Sequence, residues 1–219
     1  MSLLLTALLV ARIPLVVQVY DTTGLPASQL ELARVDARQT LNAIGIEPIW
    51  RPCHAPGCVG RPKPHAVAVR IVKSGSLSQP DLLGFSTIDT EQHAGTLATV
   101  YADRVEALAR DAGVETGELL GRVIAHEVGH LLLGTTEHGR HGLMRAVWLT
   151  TEIRRDAPLD WRFSWHEGAE MRRHLVVRAR AAVLPEAIVA DLNAGTEPVV
   201  QQARLSSSPD TSGPVSSAP

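Results

Sequence analysis

Apolar positions come in short blocks over the first half of the chain and then merge into one long apolar run. Residues 15–20 (LVVQVY) are apolar and β-branched, which predicts a strand running into the Asp21-Thr22-Thr23-Gly24 turn. Ser28-x-x-Glu31 forms a capping box. Leu30, Ala33, Leu41 and Ile44 then recur at helical spacing as far as Gly45. Further strands are predicted at 46–50, 66–72 (AVAVRIV), 84–88 and 97–101, with a Pro/Gly/Cys loop over 51–64. A short helix follows at 103–112, and Thr116 caps a long one that runs to about residue 133. Beyond it the pattern predicts a short helix from Thr150 or Thr151, broken by Pro158. A second capping box, Ser164-x-x-Glu167, opens a helix to about residue 183, and 186–193 adds a last turn or two before Gly195. No internal repeat and no phosphate-binding glycine loop is present.

Composition bounds the picture. A chain of 219 residues with 45% hydrophobic side chains suits one domain and can fill a sizeable core. The division expected is an apolar segment or signal peptide over 1–12, a single domain over 13–200, and a Ser/Pro-rich tail over 201–219. That tail is almost free of apolar side chains from Ser206 on, so it is expected to be disordered. The formal net charge of −2 argues against nucleic acid as a partner, because a phosphate backbone needs a clustered basic surface. The run at 2–11 is too short to span a bilayer and about the length of a signal-peptide core. Cys53 and Cys58 flank a His-Ala-Pro-Gly turn and are the only cysteines, which fits one disulfide and an oxidising, secreted or periplasmic location, with a cytoplasmic one as the alternative.

The long apolar run contains His126-Glu127-Val128-Gly129-His130, an HExxH. Histidines four apart share one helix face, so both imidazoles can reach one metal ion, and the intervening glutamate stands beside its open side. Catalytic zinc takes three protein ligands and keeps a further position for water or substrate. The third ligand must come from a segment that leaves the helix, and Gly134 is the place for the helix to close. His138 is the candidate for that ligand, with Glu137 and His141 as rivals. Glu127 is the candidate general base, and pairing with Arg122 is its bland alternative. Met144, in Gly142-Leu143-Met144, is read as packing beneath the metal and not as a ligand. His54, His65, His93, His166 and His174 have no partner at ligand spacing.

On His126, Glu127, His130, Gly134, His138 and Met144 the chain resembles the metzincin clan of zinc metalloproteases, with one extra residue before and one after the glycine. It looks closer still to a group of bacterial matrixin-like proteins whose signature reads roughly HEIGHLLLG, three residues, His, then GIM or GLM. The resemblance implies an α+β fold: a twisted, mixed, five-stranded sheet, an active-site helix, a Met turn at Met144 and a C-terminal helix. It also implies that the strand at 84–88 lies alone at the sheet edge, where it can pair with an extended peptide. The expected function is zinc-dependent hydrolysis of peptide bonds in a peptide or protein substrate, with Zn2+ on His126, His130 and His138. A non-catalytic zinc-stabilised or peptide-binding module on the same fold is the alternative.

Overall fold

The computed structural model describes residues 12–53, 58, 66–75, 81–89, 91–92, 94–181 and 200–208. Strand β1 (Ile13–Asp21) leads through helix α1 (Ala27–Ala43) to β2 (Ile46–Pro52), and β3 (Ala66–Val72), β4 (Leu82–Asp89) and β5 (Ala94–Tyr101) follow. Helices α2 (Ala102–Ala112) and α3 (Thr116–Leu133) come next, then the short β6 (Val147–Leu149), α4 (Thr150–Arg155), a 3-10 turn at Pro158–Trp161, α5 (Trp165–Ala181) and β7 (Val200–Ser208). The strands form one mixed sheet in the order β2-β1-β3-β5-β4-β7-β6. The first four in that order are parallel, β4 runs antiparallel to both β5 and β7, and β6 is parallel to β7.

The central strand β3 reads AVAVRIV because it has strands on both edges and is buried on both faces, so alternation disappears. Helix α3 packs against α1, α2, α5 and the sheet, and is buried from Leu119 to Leu132 on every side. A helix apolar all round belongs in the middle of a protein. Gly117 and Gly121 make this possible, since a Cβ at either position would stand 2.6 Å from an atom of α1.

Four expectations change. The sheet has seven strands among the described residues, not five, because β6 is too short to carry a pattern and β7 comes from the tail. The tail was expected to be disordered over 201–219, yet its first residues pair along β4. Ala203 and Leu205, one strand period apart, turn inward, and the partner strand supplies the hydrogen bonds that a short polar segment lacks alone. For the same reason β4 is not at the sheet edge. Ser28 makes no capping bond to α1, and Glu31 pairs instead with Arg34. The second capping box does form: the Ser164 N–H donates to Glu167 Oε2 (2.6 Å) and the Glu167 N–H to Ser164 Oγ (3.2 Å). The segments at 1–11, 186–193 and 209–219 lie outside the described residues.

Candidate metal centre

Helix α3 carries His126, Glu127 and His130, each with no exposed surface. Gly134 ends it in the left-handed conformation (φ 66°), donating its N–H to His130 O (2.9 Å). The chain then turns back and brings His138 beside the helix. The Nε2 atoms of His126 and His138 lie 3.1 and 3.2 Å from His130 Nε2, and the three donor atoms all fall within 4.8 Å of one another. Neither rival joins them: Glu137 and His141 are exposed, and the metal-holding group among the described residues consists of His126, His130 and His138.

Main-chain carbonyls set the tautomers. Leu143 O accepts from His126 Nδ1 (2.8 Å) and Thr135 O from His130 Nδ1 (2.9 Å). A carbonyl can only accept, so Nδ1 carries the proton on both rings and each Nε2 presents a lone pair. Lone pairs facing one another at 3.1 Å repel unless a cation lies between them. Zinc–imidazole bonds of about 2.0–2.1 Å in tetrahedral geometry put ligand nitrogens about 3.3 Å apart, so the donor set fits such an ion.

Burial lowers the pKa of all three histidines. It takes His126 well below the ordinary value and His130 down to about 4, with neighbouring imidazoles adding to the effect. They are therefore neutral at neutral pH, the form that binds metal. Burial pushes the Glu127 carboxyl up to about 8, opposed by its hydrogen bond with Ser86. A cation alongside would favour the carboxylate.

Glu127 does not meet Arg122, which pairs with Asp156 (2.8 Å) and lies over the Trp161 ring. Its Oε2 accepts from the Ser86 hydroxyl (2.7 Å), while Oε1 is buried without a hydrogen-bond partner. Oε1 lies over Gly84, where a Cβ would approach it to 2.9 Å. Sequence reasoning missed Ser86, although a signal existed. It is the one hydroxyl in the buried phase of β4, between Gly84 and Ile88, and a buried hydroxyl needs a partner.

The loop after His138 closes on itself, with the Gly139 N–H donating to Met144 O (2.8 Å) and the Leu143 N–H to Arg162 O (2.9 Å). Met144 is buried beneath the helix, and a Cβ on Gly129 would come within 2.7 Å of its Sδ. Trp148 stands edge-on to the His126 ring at 5.7 Å, a contact the sequence did not announce. Of the other histidines, His174 donates its Nδ1–H to Leu132 O (3.0 Å) and His166 is exposed. His54, His65 and His93 lie outside the described residues. Cys53 and Cys58 form a disulfide, with Cα atoms 5.5 Å apart, next to β1. No helix among the described residues is long and apolar enough to cross a membrane.

No protein-family model matches this sequence, and comparison with curated proteins finds no match.

Proposed function

We propose that the chain is a zinc-dependent endopeptidase of metzincin type. The observation that carries the reading is a buried carboxylate, Glu127, set beside three convergent neutral imidazoles with one oxygen unpartnered. His126, His130 and His138 would hold the ion, which when bound supplies Lewis acidity to a carbonyl and acidifies water. Glu127 Oε1 takes the proton of the attacking water and returns it to the departing amine nitrogen. Ser86 holds the other carboxylate oxygen, which leaves Oε1 free to accept that proton. Leu143 O and Thr135 O hold the rings of His126 and His130 in the ligating tautomer.

A closed structural zinc site would call for a fourth protein ligand, and none belongs to the group among the described residues. It would also have no use for a buried carboxylate at Glu127. The disulfide suits an oxidising compartment, so a secreted or periplasmic location is part of the proposal. The test is Glu127→Gln, assayed for peptide hydrolysis and zinc content together. Hydrolysis should fall by about 10²–10⁴-fold with zinc retained. Undiminished hydrolysis would remove Glu127 as the base, and absence of hydrolysis in the wild type loaded with zinc would remove the enzyme.

A further inference from the structure

Strand β7 lies between the two strands that support the candidate centre. Along β4 it runs antiparallel, with Ala203 opposite Ser86 and Leu205 opposite Gly84. Ser86 is the residue that hydrogen-bonds Glu127, and Gly84 the one over which Oε1 lies. Along β6 it runs parallel, pairing Ser206 with Val147 and Ser207 with Trp148, the indole that stands against His126. The main chain of 203–205 therefore lies one strand beyond the two β4 residues that touch the Glu127 carboxylate. Towards its start, the Gln201 side chain accepts from Thr136 Oγ1 (3.5 Å), in the loop between Thr135 and His138.

The strand is seated by its main chain and by alternate side chains. The Ser206 N–H donates to Ala146 O (3.0 Å) and the Ser207 N–H to Asp81 O (2.8 Å). Ala203 and Leu205 are 1% and 0% exposed, whereas Gln202 and Arg204 face solvent. Strand addition holds an extended peptide in this manner, with ladder bonds for affinity and alternate pockets for selectivity.

We infer that Val200–Ser208 is an internal occupant of the peptide-binding edge, and that an external substrate reaches the centre only when this strand withdraws. The substrate class it stands in for is an extended peptide with a small side chain followed, two residues on, by a leucine-like one, matching Ala203 and Leu205. The word substrate rests on the peptidase reading, while the occupancy rests on the strand pairing. A tethered occupant competes at an effective concentration on the order of millimolar, so it masks the edge from weaker or scarcer peptides.

The test uses the full chain and, as probe, a fluorescein-labelled nonapeptide with the sequence of residues 200–208, read by anisotropy. Leu205→Asp puts a charge at a fully buried position and should expel the strand. Ser206→Pro removes the N–H that bonds Ala146 and leaves the buried side chains unchanged, which covers the case where the first variant misfolds. Each is expected to bind the probe about tenfold or more tightly than the wild type. Equal affinity in all three proteins overturns the occupant. Tighter probe binding with no cleavage in any of them keeps the occupant and removes the peptidase. Cleavage of a leucine-containing peptide at one rate by all three keeps the peptidase and removes the occupant.

Discussion

The two halves of α3 are buried alike and composed differently. Its first half meets α1 through Gly117 and Gly121, and its one charged residue with a buried side chain, Arg122, reaches Asp156 and the Trp161 ring. Its second half buries His126, Glu127 and His130 where the imidazole nitrogens face one another and a carboxylate oxygen has no partner. A buried polar group without a partner costs about 1–3 kcal/mol. Arg122 offsets most of that cost through Asp156 and the Trp161 ring, with its Nε left without a hydrogen-bond partner, whereas the ligand half does so fully only with a cation among its donors. Stability should therefore report on the first half and metal binding on the second.

The sharpest way to break the comparison is to strip ligands. His126→Ala, His130→Ala and His138→Ala should each weaken zinc binding by more than about a hundredfold, because even groups behind a ligand are worth about 10–100-fold. His141→Ala should leave it unchanged, since that residue lies outside the cluster. Competition against a chromophoric chelator measures all four. Undiminished affinity in His138→Ala would reassign the third ligand.

A smaller effect tests the other half. Gly121→Ala would gain about 1 kcal/mol of helix propensity, but its Cβ would stand 2.6 Å from Ala33 O and 2.7 Å from Asp36 Cβ. A main-chain oxygen cannot step aside cheaply, and overpacking costs about 1–3 kcal/mol. The net expectation is a loss of about 1 kcal/mol in urea unfolding of the metal-free protein, with zinc affinity unchanged. Higher stability in the variant would mean that α1 and α3 are not held in such close contact.

The smallest expected effect concerns Asp36, which faces Arg122, Glu118 and Asp156. Burial raises its pKa to about 6, with Arg122 pulling the other way and Glu118 and Asp156 adding to the rise. A raised carboxyl pKa means that the folded state holds the proton more tightly. Its stabilising contribution is thus complete below the unfolded value near 4 and lost as pH rises through about 6. Asp36→Asn should flatten this decline, by no more than about 1–2 kcal/mol given the charges that offset one another. Urea midpoints of both proteins at pH 4, 5 and 6 decide it. Parallel profiles would show that Asp36 stays ionised.

Much of the frame was legible. The β3 pattern AVAVRIV matches its strand residue for residue, and the predicted helix to about 133 matches α3, although Thr116 is its first residue and not its cap, because both are long, strongly apolar and bounded by turn residues. The HExxH spacing, with Gly134 to close the helix, was enough to name His126 and His130 and to propose His138, since helical geometry and a left-handed glycine are local properties. Ser28 failed as a cap because α1 begins at Ala27 with Pro26 in the cap position, which places Ser28 inside the first turn, and no side chain bonds the free N–H groups.

What the sequence determined by itself was whatever depends on neighbours along the chain: the helix that presents two imidazoles and a carboxylate on one side, the glycine that ends it, and the order of most strands. Only the tertiary structure decided between His138 and its rivals, because that choice depends on where a loop returns in space. It likewise brought Ser86 to Glu127 and Trp148 to His126, across 41 residues in the first case. It also turned a polar tail into β7, since an isolated short strand cannot offset its ordering entropy until another strand offers it hydrogen bonds.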